Sequence, residues 1–164
     1  MSPAPPTAGD AAAAEKAFKR GIKAQKSGNR ALAVTEYQSA VKADPAYYDA
    51  YYNLGLAAMD GGDFRLSLWA YEIALALKPE AEDARYNFAL ALKAGGYPQD
   101  AAIELKRLHS ANPSDARAHL SLGNLYAQQP DQIDLAREHY RTVLELNPRH
   151  QDAAKIRYWL AANP

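Results

Sequence analysis

A chain of 164 residues that is 48% apolar can bury one continuous core without staples, and having no cysteine it has neither disulfides nor thiolate metal ligands. Nineteen basic and nineteen acidic side chains cancel at neutral pH, which argues against a nucleic-acid binder, whose affinity rests on neutralising phosphates. No apolar run reaches the roughly 18 residues that a membrane-spanning helix needs.

In chain order, residues 1–10 (MSPAPPTAGD) read as a flexible Pro/Ala-rich leader without the apolar stretch of a signal peptide. From there a period organises the chain. Pro45, Pro79, Pro113 and Pro148 fall 34, 34 and 35 residues apart. Gly28, Gly62 and Gly96 recur at 34, and Gly21, Gly55 and Gly123 form a second ladder with Ala89 in its gap. Small residues return at Ala33, Ser67, Ala101 and Ala136, then large ones at Tyr37, Tyr71, Leu105 and Tyr140. Each rung has a mechanical meaning. A first helix closes at a glycine that accepts the left-handed conformation. A second helix stops before a proline that cannot continue it. Glycine on the first helix and a small residue on the second let the two approach, and the Tyr or Leu fills what space is left. The unit is an antiparallel helical hairpin, repeated four times over residues 11–148 (about 14–47, 48–81, 82–115 and 116–150). Residues 149–162 predict one more helix off the repeat register, so that 149–164 cap the apolar end of the array. Nine helices and no strand are expected. The extra residue in AQQPDQID should lengthen the turn inside the fourth repeat.

These rungs resemble the tetratricopeptide repeat, a 34-residue helix-turn-helix, most closely in YYNLGLAAMDGGDFRLSLWAYEIALALKP (51–79). Ala17 and Arg20 in repeat one, and Arg85 and Ala89 in repeat three, depart from its pattern. The resemblance implies an all-α, right-handed superhelical solenoid whose first helices line a concave groove. It also implies a non-catalytic module that binds a protein or peptide partner.

The stretch YYDAYY (47–52) poses the question of function, because its rings divide between two helix faces. Tyr51 takes the repeat's aromatic signature position and is expected in the core. Tyr52, one residue further round, is implied to face the groove. The same position through the array is Phe18, Tyr52, Tyr86 and Leu120. One turn on come Ile22, Leu56, Leu90 and Asn124, and after them Gln25, Met59, Lys93 and Ala127. A peptide-binding groove is therefore expected to involve Phe18, Ile22, Tyr52, Asn53, Leu56, Met59, Tyr86, Asn87, Leu90, Arg117, Leu120 and Asn124. Two alternatives stand beside it: such rings merely fill space between adjacent first helices, or the leader or the capping helix lies in the groove, with Trp159 best suited to enter it.

Other patterns carry less. Some tetratricopeptide domains clamp a C-terminal carboxylate with Lys and Asn, and here Asn53, Asn87 and Arg117 match only part of that set, so the specificity is not expected. Glu15, Asp49 and Asp83 recur in first turns, where the helix dipole favours acids. If they also face a ligand, they favour apolar peptides flanked by Lys or Arg. Lys16, Lys19, Arg20, Lys23, Lys26 and Arg30 make a basic stripe that reads as a solvated face. His109, His119, His139 and His150 show no metal-ligand spacing, and no nucleophile elbow or phosphate loop occurs. Neither a cofactor nor a metal is expected. The expectation is a non-catalytic interaction module using apolar anchors, the alternative a self-associating scaffold or homo-oligomer. The compartment stays open, cytoplasmic or, after loss of a targeting segment, extracytoplasmic.

Overall fold

The computed structural model describes residues 4–164, in two compact units that meet in sequence at Tyr97 and Pro98. Residues 1–3 of the expected leader lie outside the described residues. Nine α-helices and one 3-10 turn make up the regular structure of the described residues, which contain no strand.

The first unit holds α1 (Ala11–Lys26), α2 (Arg30–Ala43), α3 (Tyr48–Asp60), α4 (Phe64–Leu77) and α5 (Glu82–Ala94). Side-chain caps start three of them: Asp10, Asn29 and Asp63 each accept a backbone N–H from three residues on. The turns inside its repeats are built alike. Gly28, Gly62 and Gly96 have φ of 77°, 79° and 89°, and the next residue's N–H returns to the carbonyl of Ala24, Ala58 or Leu92. Consecutive helices α1 to α5 pack in sequence, and α3 also touches α5.

Close approach within a hairpin depends on a missing methyl group. A Cβ on Gly21 would lie 2.5 Å from the Tyr37 ring, and one on Gly55 would lie 2.8 Å from the Tyr71 ring, both rings being fully buried. Beside the second pair the Ser67 hydroxyl donates to the Gly55 carbonyl at 2.9 Å, tying α4 to α3 where they come nearest. The core between these contacts is mostly alanine, with Leu54 and Tyr51.

The end of the leader is held. Gly9 N–H donates to Asp44 Oδ1 and Asp10 N–H to the Ala43 carbonyl, both at 2.8 Å. A Cβ on Gly9 would stand 2.3 Å from that carbonyl, so the contact requires glycine.

The second unit holds α6 (Pro98–Ala111), α7 (Ala116–Tyr126), the 3-10 turn (Pro130–Gln132), α8 (Ile133–Leu146) and α9 (Ala153–Ala162). The α7–α8 hairpin repeats the close approach at Gly123 and Tyr140. Its inner turn has no glycine and is longer, as the extra residue requires. The last helix begins later than expected, at Ala153 in place of 149. Pro148 and a polar turn intervene, in which Asn147 Oδ1 accepts from Arg149 N–H and His150 Nδ1 from Asp152 N–H. On α9, Ile156 is buried and Trp159 meets the Tyr140 ring edge-on at 4.8 Å.

Candidate functional site

Of the twelve residues the sequence singles out, eleven are half-buried and Arg117 is exposed. Nine belong to the first unit and Arg117, Leu120 and Asn124 to the second.

In the first unit the tyrosines divide as their helical positions require. Tyr51 is 5% exposed and meets Trp69 edge-on at 5.5 Å. Tyr52 is half-buried, stacked on Tyr48 at 6.1 Å and edge-on to Tyr71 at 6.2 Å. Its hydroxyl accepts a hydrogen bond from Asn87 Nδ2 at 3.0 Å, so α3 and α5 are joined across the candidate face. Tyr52 therefore has structural duties as well as an open side. Phe18 is drawn further inward, against Tyr37 at 5.6 Å and Tyr47 at 5.1 Å, and Ile22 packs on the same cluster. Asn53 turns back on its own helix, donating to the Asp49 carbonyl at 2.8 Å. Leu56, Met59, Tyr86 and Leu90 remain the half-open apolar part of this face.

Tyr48 was not among the expected site residues, yet it marks the electrostatics of this edge. Burial, then Tyr52, Asp49, Asp83 and Glu80, push its hydroxyl up to about 12. The Lys78 ammonium lies 4.1 Å from its ring centroid. A cation is thus held on the face of a ring whose hydroxyl is acted on by Asp49, Asp83 and Glu80. The sequence signal was there in the eight acids against two basic residues between Asp44 and Asp83.

In the second unit Arg117 is occupied by Asp115, with Nη2 to Oδ2 at 2.8 Å and Nε to Oδ1 at 3.1 Å. Burial raises the Asp115 carboxyl, but the hydrogen bonds and charge of Arg117 outweigh it and hold the group below the usual range. Leu120 and Asn124 open into a pocket of about 320 Å³ shared with Tyr140, Asp152, Lys155, Ile156 and Trp159. Tyr140 donates to Asn124 Oδ1 at 2.8 Å at its base. Lys155, Ile156 and Trp159 of α9 thus line the same pocket as the expected groove residues Leu120 and Asn124 of α7.

The basic stripe of α1 is partly neutralised, Lys19 by Glu15 at 2.7 Å and Arg20 by Glu36 at 2.6 Å. Three histidines without any sequence signature, His109, His119 and His139, lie ring to ring. Among the described residues no group of three or more His, Cys, Asp or Glu side chains could hold a metal ion, and no helix is long and apolar enough to cross a membrane.

Two profiles described as tetratricopeptide repeat match, one over residues 18–64, 54–112 and 86–132, the other over 116–150. The crystal structure of MamA is similar with TM-score 0.78 at 25% identity, over 83% of this chain and 79% of that one. YrrB, described as a TPR protein with an unusual peptide-binding site, has TM-score 0.80 at 21% identity, over 91% and 76%. A tetratricopeptide repeat protein from Parabacteroides merdae has TM-score 0.83 at 22% identity, over 91% and 59%. No curated protein matches the sequence significantly.

Proposed function

This chain belongs to the tetratricopeptide repeat family, with that family's all-α solenoid fold, and on that premise we propose that it is a non-catalytic module that receives an apolar peptide or helix of a partner. The observation that carries this is the half-open strip of Tyr52, Leu56, Met59, Tyr86 and Leu90 on the first helices of the first unit. Core packing needs Tyr51, Leu54 and Gly55 on α3, whereas the strip leaves large apolar side chains only half covered. Large side chains at the centre of an interface dominate its energy. The peptide site named for YrrB, on a similar fold, supports the same reading. Because the Tyr48 ring already seats one ammonium and Asp49, Asp83 and Glu80 act on its hydroxyl, the segment preferred is apolar with a Lys or Arg alongside.

Selection from a phage-displayed library of random 12-residue peptides tests this directly. Enriched peptides should combine apolar residues with a basic one. Their affinity for a Leu56→Ala, Leu90→Ala variant should fall at least tenfold while its helical circular dichroism is kept. Selected peptides that bind the variant as well as the wild type would place the site elsewhere.

Self-association is the second reading, favoured by the second unit, where Tyr158 is 80% exposed and Leu135 and Leu146 are 43% and 42% exposed. Light scattering over a concentration series decides it. A constant monomer mass removes it, and a mass that rises in the wild type but not in Tyr158→Lys supports it.

A further inference from the structure

The second unit contains a cluster that peptide binding does not use. His109 on α6, His119 on α7 and His139 on α8 meet with ring centroids 4.7, 5.0 and 5.9 Å apart. His119 is 5% exposed, and His109 Nδ1 is buried without a hydrogen-bond partner. We propose that this cluster is a proton-sensitive latch, which holds α8 against α6 and α7 while its imidazoles are neutral and loosens the second unit on acidification.

The hydrogen positions follow from the partners. His119 Nε2 lies 3.0 Å from the Pro113 carbonyl, which can only accept, so Nε2 carries the hydrogen and Nδ1 is bare. His119 Nδ1 faces His139 Nδ1 at 2.9 Å, and His139 Nδ1 must therefore donate. One latch bond joins α7 to α8 in the neutral state. A proton on His139 Nε2 keeps that bond but places a charge in the cluster. A second, on His119, sets two N–H groups against each other at 2.9 Å, and the bond is lost.

Burial and three neighbouring bases oppose the charge. From α6 come His109 and the Lys106 ammonium, which lies 5.7 Å from the Tyr126 ring centroid. From α7 come His119 and Tyr126, whose ring stacks on His139 at 5.6 Å. The last helix, α9, meets α8 through Trp159 on Tyr140 and through Arg137, which donates to the Asn163 carbonyl. Burial first, then His119, His109 and Lys106, lower the His139 value from 6.5 to about 4. A depressed folded-state value means that the unfolded state binds the proton more tightly, so stability is complete above about pH 6.5 and falls as pH drops toward 4. The Tyr140–Asn124 hydrogen bond at the base of the pocket, one residue along from His139, joins the same two helices and loosens with them.

The test uses the full chain with Trp69→Phe, so that the only indole is Trp159, whose ring rests on α8. Urea unfolding is followed by its fluorescence at constant ionic strength. From pH 7 to pH 5 the unfolding constant should rise about twentyfold, and His139→Phe should remove most of that rise. In the unsubstituted protein, the His139 ring carbons in NMR should keep their neutral shifts at pH 5.5. A Trp159 transition that does not move with pH, or moves equally in His139→Phe, overturns the latch. An ordinary His139 titration near 6.5 overturns it too, and that measurement decides the matter alone if His139→Phe does not fold.

Discussion

Gly55→Ala sets two magnitudes of opposite sign against each other. An alanine in a helix interior is favoured over glycine by about 1 kcal/mol, because less backbone freedom is lost on folding. Here the new Cβ would stand 2.8 Å from Tyr71 Cε1 and Cζ, where ordinary contact begins near 3.4 Å. The ring is fully buried and the Ser67–Gly55 hydrogen bond pins the two backbones at that level, so neither side yields cheaply. Overpacking of this kind costs about 1–3 kcal/mol, and the net expectation is a loss of up to about 2 kcal/mol. The repeat supplies its own control, since the one unit with alanine at this position, Ala89, also has leucine, Leu105, in place of tyrosine. Gly55→Ala, Tyr71→Leu should therefore lose clearly less than the sum of its single substitutions, and deleting the Tyr71 hydroxyl, which is buried without a partner, helps it do so. Urea unfolding read by Trp69 in a Trp159→Phe background measures all four corners of the cycle. A Gly55→Ala protein about 1 kcal/mol more stable than its parent, or a cycle additive to within about 0.5 kcal/mol, would refute close packing as the reason for the glycine ladder.

Two further substitutions test the first unit. Tyr51→Ala should cost about 3 kcal/mol as a core aromatic, and Tyr52→Ala about 1–2 kcal/mol, because its ring is half-buried and its hydroxyl takes one hydrogen bond from Asn87. Equal losses in thermal melts would make Tyr52 as structural as Tyr51. Asp44→Ala removes the acceptor for both Gly9 and Ala46 N–H groups and should cost about 1–2 kcal/mol. Hydrogen exchange should then show loss of protection at Gly9, and unchanged protection there would mean that Asp44 does not hold the end of the leader.

Repetition made the architecture legible. Glycine, alanine, tyrosine and proline return at one spacing, each tied to a local necessity: a left-handed turn, a close crossing, a filled gap, a stopped helix. Such constraints act within a few residues or within one hairpin, so they survive in sequence as a pattern. The division of YYDAYY was legible for the same reason, since neighbouring positions on a helix point to different faces.

What the pattern left open depends on groups brought together from separate elements. The hydrogen bond from Asn87 to Tyr52, the anchoring of Gly9 on Asp44 and the seat of Lys78 on Tyr48 all join groups of separate elements, and the repeat spacing does not announce that they meet. Residues 149–152 read as helix from composition, but the proline and its polar turn delay α9 until Ala153. The histidines mark the limit most clearly. Nothing in their spacing suggests a cluster, because they sit on three helices, and only packing decides that their rings meet where burial and neighbouring bases disfavour the charge. Sequence alone thus determined which residues build the hairpins, through short-range rules. Tertiary structure decided which polar groups are buried together, because burial is a property of the assembled core and not of any one segment.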